Sequence, residues 1–432
     1  MCANIPKTTY PRIVVIGAGF AGIEFIKRLN NEKVQIVLLD RHNYHTFQPL
    51  LYQVATGVLE PDAIAYPIRK IFKKQTNFLF RMAAVVSIDT QKKTVETSIG
   101  NIDYDELVIA TGSKTNYFGL KDFEANAVPM KSIPESLNLR SMLLQNFEEA
   151  LLVTNEAKRE AMINIAIVGG GPTGVELAGT IAEMKHHIFP KEYPELLIDS
   201  MQIHVIDKLP RLLSAMSAEA SQKSQEFLAE LGVMISLDTE VKSYDGAKLE
   251  LSNGKTISTR TVIWAAGVAG SVIPGVPEQG VIRGRYKVDL FNQVAGCDNV
   301  YAIGDVAAVI TDATPNGHPM LAPVAMQQGK LLADNLLRKV ANKPLVPFEF
   351  KNPGVMATIG RKKAVVDMSF IKFHGFIAWV LWLLVHIMAL VGFKNKIVTF
   401  VNWMWHYFSY DPGLRLIIRP YKKKKVDDSE EN

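Results

Sequence analysis

Residues 13–16, IVVI, form an unbroken apolar run, as expected of a strand buried on both faces of a parallel sheet. A glycine turn follows, then a helical pattern, then a second apolar run over 35–39 that closes on Asp40. The same order returns further on: a strand over 164–168, a glycine turn, a helix over 175–184, and a strand over 202–206 closing on Asp207. This repetition predicts an α/β protein with two Rossmann-like, parallel-sheet units. Between the two copies the pattern changes. Short strands at 78–88 and 93–97 alternate with turn signals, a strand covers 106–110, and helical spacing covers 136–161. Further strands are predicted at 261–264 and 299–303, and a helix at 322–335. The last apolar feature, residues 376–393, has eighteen residues with His386 as its only polar side chain.

The glycine turns carry the candidate chemistry. Gly17, Gly19 and Gly22 stand in G-x-G-x-x-G spacing, with Phe20 and Ala21 inside the turn. The first glycine allows the tight turn, the second lets backbone approach a pyrophosphate, and the third lets the helix pack against its strand. Asp40, eighteen residues beyond Gly22 and followed by Arg41, is placed to accept from a ribose hydroxyl. Gly169, Gly171 and Gly174 repeat the spacing around Pro172 and Thr173. Their acid, Asp207, comes thirty-three residues after Gly174, because the insertion HHIFPKEYPELLIDS breaks the crossover at Pro190 and Pro194. An acid there favours a free 2′-hydroxyl and hence NADH over NADPH, whereas Lys208 and Arg211 weaken that preference. Each copy also has a return strand ending in small residues: Ala110, Thr111 and Gly112 in one, Ala266 and Gly267 in the other. Gly304 and Asp305 end a further strand, where the acid could bond a ribityl or phosphate group of the first nucleotide. The alternative there is an ordinary helix cap. The loop RHNYHTFQPLLYQVATG after Asp40 crowds polar and aromatic side chains, among them Gln48, beside the first turn.

Composition narrows the class. With 432 residues, 48% of them hydrophobic, the chain should hold two or three domains. Its net charge of +5 is spread over the chain, with a basic cluster near the end, where RPYKKKK precedes the acidic DDSEEN. Cys2 and Cys297 are the only cysteines and no C-x-x-C occurs, which excludes a disulfide framework, a redox dithiol or a cysteine-ligated cluster. No metal site and no nucleic-acid partner are expected. No apolar h-region precedes the first strand, so no secretory signal is expected and catalysis is placed on the cytoplasmic side.

RIVVIGAGFAG, LVIATGS, IVGGGPTGVELAG and NVYAIGD, in this order, resemble the two-dinucleotide-binding-domain flavoproteins. Within them, RHNYHTFQPLLYQVATG, GVELAG, APVAMQQG and the apolar C-terminal region look like the type II NADH dehydrogenases, single-chain NADH:quinone oxidoreductases. The resemblance implies FAD in the first site, NADH in the second, and hydride transfer to the flavin followed by reduction of a membrane quinone. It implies a FAD-binding domain over 1–130 and 276–365, an NADH-binding domain over 131–275, and membrane-anchoring helices with a basic tail over 366–432. It also places Glu176 near the nicotinamide or flavin edge, to orient the ring or handle a proton. In LAPVAMQQGK the family's first glutamine position holds Pro323, which leaves Gln327, and then Gln328, to face flavin and quinone next to Ala325. A homodimer is implied as well.

The apolar run at 376–393 is long enough for a span, but basic residues flank both of its sides. The segment after it, NKIVTFVNWMWHYFSY, reads as an interfacial helix, with Trp403, Trp405, Tyr407 and Tyr410 at headgroup level. The expectation is a monotopic hairpin dipped into one leaflet, with lysines against anionic lipid and no proton pumping. Deleting residues 370–432 should then release the enzyme from membranes and spare reduction of a water-soluble quinone. Two rivals remain. A sulfide:quinone oxidoreductase would need catalytic cysteines, and an NADH-dependent redox sensor would reduce its flavin once and stop.

Overall fold

The computed structural model describes residues 3–368, 371–409, 413 and 415–421. Cys2, Tyr410 and the lysines at 422–425 lie outside the described residues. The chain forms two compact units and passes between them several times. One takes the chain up to Thr46, Ala65–Lys114 and Val268–Asn352; the other takes Phe47–Ile64, Thr115–Gly267 and the chain from Pro353 onward.

The first unit is built on a five-stranded parallel sheet. Its strands are β1 (Arg12–Ile16), β2 (Gln35–Asp40), β3 (Phe78–Met82) and β4 (Glu106–Ile109), with Val300–Ala302 at the edge beyond β4. β1 lies in the middle, pairing with β2 on one side and β4 on the other. Apolar side chains fill both faces, which is why these strands read as continuous hydrophobic runs. Helix α1 (Phe20–Arg28) follows the glycine turn and packs against the helix Ala322–Val340. Gly329 permits that approach, since a Cβ there would lie 2.4 Å from the Ala21 carbonyl oxygen.

In the second unit the plan recurs. Helix α2 (Leu51–Ala55) comes from the loop after Asp40, and helix α3 (Ile133–Leu151) packs on it. The sheet contains β5 (Val128–Pro129), β6 (Ile165–Val168), β7 (Ile203–Ile206), β8 (Met234–Ser236) and β9 (Thr261–Trp264), all parallel, with β6 central between β7 and β9. Helix α4 (Pro172–His187) follows the second glycine turn and packs on strand β10 (Val355–Thr358). Each unit also carries a three-stranded antiparallel sheet between its later parallel strands, 85–103 in the first and 241–258 in the second. The duplication therefore extends past the glycine turns.

The predicted elements differ from the observed ones in two instructive places. The predicted strand at 78–88 is two strands, Phe78–Met82 and Val85–Asp89, in different sheets. The helical stretch at 136–161 is α3 followed by Glu156–Ile163, separated by a turn in which Asn155 caps the second helix.

The C-terminal apolar run ends early. Helix α5 (Phe376–Ala389) stops before Gly392, whose positive φ turns the chain into helix α6 (Phe393–Ser409). At 1.5 Å per residue the two helices are about 21 and 25 Å long, short of a hydrocarbon core of about 30 Å. Among the described residues no helix is long and apolar enough to cross a membrane. The two helices form a hairpin stitched by Trp379 against Tyr407 and Trp382 against Trp403.

Candidate active site

In the first unit, β1 leads to Gly17, whose φ of +106° and 2.3 Å Cβ clearance to the Ala110 oxygen admit only glycine. A Cβ on Gly22 would lie 2.1 Å from the Gly17 oxygen. Gly19 is different: nothing lies within 4 Å of its Cβ position, so the turn presents open space at the start of α1. That space fits an anion at the N-terminus of a helix, where backbone amides and the helix dipole favour negative charge. Phe20 and Ala21 open α1, and Phe20 meets the buried His45 edge-on. His45 Nδ1 lies 2.9 Å from the Ala18 oxygen, and burial pushes its pKa down, so the neutral ring braces the turn. Sequence reasoning placed His45 in the crowded loop without seeing this contact.

Asp40 caps the turn from the end of β2. Its carboxylate accepts from the Ala18 amide at 2.7 Å and the His42 amide at 2.8 Å. Arg41 and Gln48 are exposed. Ala110 backs Gly17, Thr111 donates to the Ser271 oxygen at 2.7 Å, and Gly112 has a φ of +68° with open space beside it. Asp305 accepts from the Ser113 hydroxyl at 2.5 Å, in a short 3-10 turn rather than at a helix start.

The expected role of Gln327 meets a geometric obstacle. Its amide forms a closed pair with the Lys351 backbone, donating at 2.8 Å and accepting at 3.0 Å. The neighbouring Gln328 is the buried one, and its oxygen accepts the Gly304 amide at 2.7 Å, bracing the turn that presents Asp305. Ala325 packs under the same glycine.

In the second unit the cradle is rebuilt nearly atom for atom. A Cβ on Gly174 would lie 1.9 Å from the Gly169 oxygen, and Gly169 sits against Ala265 and Ala266 with a φ of +114°. Gly171 faces open space, and Pro172 and Thr173 begin α4 with proline at a position that needs no amide hydrogen. Asp207 accepts from the Gly170 amide at 2.5 Å and the Leu209 amide at 2.8 Å, the same pair of contacts that Asp40 makes. Of the two cations expected to weaken a preference for NADH, Arg211 donates to the Ser214 oxygen and Lys208 stands 5.6 Å over the Phe118 ring. Phe118 is a residue that sequence reasoning missed. It is exposed, has a φ of +53°, and its ring closes on Gly267, where a Cβ would lie 2.4 Å away. The signal was the turn Phe118-Gly119, where both residues have positive φ.

Glu176 is the fifth residue of α4, one turn further in than the helix mouth. It is 7% exposed, and burial raises its pKa to about 8, partly offset by the Thr358 amide, 3.4 Å from Oε1, and by the Trp382 indole. The group can therefore hold a proton at neutral pH and release it slightly above.

The hairpin is inverted relative to an ordinary surface helix. On α6, Asn395, Thr399 and Trp403 face inward and are buried, while Phe393, Ile397, Phe400, Met404 and Phe408 face outward and are exposed. Asn395 donates to the Asp62 and Ala63 oxygens at 2.8 and 3.1 Å. Trp403, expected at headgroup level, is instead 7% exposed and donates to Gln53 Oε1 at 2.7 Å. Trp405 does face outward, at 68% exposure, and Tyr407 lies against Trp379 beneath Arg361. His386 stacks on Trp382, with Nδ1 2.8 Å from that residue's own oxygen; burial pushes its pKa down to about 4.

Residues 11–329 match the pyridine nucleotide-disulphide oxidoreductase family, and residues 353–409 match the NDH2 C-terminal domain. The chain belongs to the type II NADH:quinone oxidoreductases. It is 34% identical to the Mycobacterium tuberculosis protein named type II NADH:quinone oxidoreductase Ndh, over 93% of this chain and 89% of that one. A solved structure of NDH2 from Plasmodium falciparum in complex with NADH superposes with a TM-score of 0.87 at 21% identity, covering 95% of this chain and all of the other. A sulfide:quinone oxidoreductase from Aquifex aeolicus shares the fold at a TM-score of 0.71 and 19% identity, covering 93% and 96%. Fold alone does not separate those two enzymes. For a type II NADH:quinone oxidoreductase the two cradles and the outward apolar hairpin are the expected parts.

Proposed function

We propose that the protein oxidises NADH and reduces a quinone at a membrane surface, with FAD in the first cradle and NADH in the second. The observation that carries this reading is the pair of matched cradles, each with a sterically required glycine turn, an open middle glycine and an aspartate hydrogen-bonded to the turn. The first cradle fits FAD because Gly19 leaves room for a pyrophosphate and Asp305 stands on a turn braced by Gln328. FAD, when bound, supplies the two-electron acceptor that no side chain of the chain provides.

The protein's own part is binding, orientation and a proton. Asp40 and Asp207 have lone pairs left to accept from the ribose hydroxyls. Glu176 holds a proton that quinone reduction requires, and Gln328 rather than Gln327 sets the turn beside the flavin. With Phe118 and Gly267 at its edge, the second cradle takes the nicotinamide nucleotide. Asp207 disfavours a 2′-phosphate there.

The outward face of the hairpin docks on lipid, with Lys372 and Lys394 exposed beside it. Attachment on the cytoplasmic face, pairing of two copies and turnover without proton pumping belong to the same proposal. The thiol chemistry of a sulfide-oxidising rival has little support, because Cys297 is buried at 5% in the first unit's core. The test is steady NADH consumption by purified protein with a water-soluble quinone and with lipid quinone in vesicles. Consumption that stops after one equivalent of NADH per protein would favour the sensor.

A further inference from the structure

Three segments distant in sequence converge beside Glu176. The Trp403 indole of α6 donates to Gln53 Oε1 at 2.7 Å; the Gln53 amide nitrogen donates to the Tyr52 hydroxyl at 3.0 Å; Tyr52 pairs with the Thr358 hydroxyl at 3.0 Å. Thr358 in turn directs its backbone amide to Glu176. Trp403, Gln53, Tyr52, Thr358 and Glu176 are all buried. An indole can only donate, which fixes Gln53 with its oxygen toward the hairpin and its NH2 toward Tyr52. A primary amide serves both directions, and losing either bond would strand a buried polar group.

Packing alone does not hold the hairpin here. A cavity of about 70 Å³ runs beside α4, lined among others by Thr180, Glu183, His187, Trp379 and Trp403. Trp403 therefore borders a void, and its bond to Gln53 sets the indole together with its contact to Trp382. The titratable or charged groups around this region are Tyr52 from α2, Glu183 and His187 from α4, Arg361 from the turn after β10, His386 from α5, stacked on Trp382, and His406 and Tyr407 from α6.

We propose that Gln53 is a positioning residue that couples the seating of the C-terminal hairpin to the Thr358–Glu176 contact, so that docking of the hairpin sets how Glu176 is held during turnover. The proposal rests on the NADH:quinone reading above. Its test uses the full chain and a water-soluble quinone. Gln53→Met keeps the side-chain shape without its hydrogen bonds, and Trp403→Phe removes the donor.

Each variant should lower kcat about five- to tenfold and move the alkaline limb of the pH profile by about half a unit or more, with KM for NADH unchanged. The double variant should match the worse single one, since both break one chain. Leu383→Ala, which lines the same cavity from α5, should lower the melting temperature and leave the profile in place. In wild type, adding anionic phospholipid vesicles should itself shift the limb. If the wild type is active but neither the variants nor vesicles move the profile, the coupling is wrong and the activity stands. If the wild type consumes no NADH with quinone, both fall.

Discussion

Asp207 accepts a hydrogen bond from the Gly170 amide at 2.5 Å, tying the end of β7 to the glycine turn that follows β6. The carboxylate thus shapes the turn and still has lone pairs for a ribose diol. Asp207→Ala should lower kcat/KM for NADH by about 10- to 100-fold, the loss of charge-assisted hydrogen bonds worth about 1.5–3 kcal/mol. NADPH should lose much less, because the variant also removes repulsion of the 2′-phosphate. Parallel kinetics with both nucleotides check this; equal losses would remove Asp207 from nucleotide selection.

Substitutions at Gly19 and Gly171 should separate nucleotide binding from folding. Both have open space at the Cβ position and ordinary negative φ, so a methyl group there costs the fold little. Gly171→Ala should raise KM for NADH at least about tenfold with the melting temperature nearly unchanged. Gly19→Ala should yield protein with substoichiometric FAD. Gly174→Ala should instead destabilise the second unit, since its Cβ would overlap the Gly169 oxygen. Thermal melts beside cofactor titrations distinguish the three.

Glu176 makes two pH-dependent statements. Its folded pKa of about 8 lies above that of an exposed carboxylate, so activity that needs its proton should fall as pH rises through about 8. Glu176→Gln should lose that limb and lower kcat at least about tenfold. For stability the raised pKa runs in the same direction with pH. The folded state binds this proton more tightly, so the contribution is fully present below the unfolded pKa and is lost as pH climbs toward 8. Glu176→Gln should therefore gain melting temperature over wild type progressively between pH 5 and 8. A constant offset across that range would place the proton elsewhere.

The hairpin surface should be separable from the hairpin core. Phe393, Trp405 and Phe408 are 78, 68 and 73% exposed. Replacing all three with serine should cut vesicle binding at least about tenfold while sparing reduction of a water-soluble quinone, because none of them anchors the buried chain through Trp403. Deleting residues 370–432 is a less clean test than the sequence suggested. It would also remove Trp382 and Trp403, which wall in Glu176 and Gln53. Flotation with liposomes, run beside a soluble-quinone assay, reads both effects.

Much of this architecture was legible because it rests on local rules. A fully apolar strand, a glycine at positive φ and an acid at the next strand end are each encoded within about thirty residues, and the second copy repeats them. The side-chain roles were harder, because they depend on partners far along the chain. Trp403 reads as an interfacial aromatic until Gln53, 350 residues earlier, is seen to accept its hydrogen bond. Gln327 and Gln328 differ by one position, yet helix phase sends one to Lys351 and buries the other under Gly304. The end of α5 was obscured by its composition, since Leu390, where the backbone turns extended, and Gly392, which turns the chain into α6, both count as apolar in a hydropathy reading.

The central claim, a flavin reduced from one cradle and reoxidised by quinone, is tested most directly by the visible spectrum of the purified full chain through a cycle of additions. The protein should be yellow with FAD bound, bleach on adding NADH without oxygen, and regain its colour when quinone is added, repeatedly. A protein that stays colourless after incubation with excess FAD, or whose bleached flavin quinone fails to restore, would contradict it.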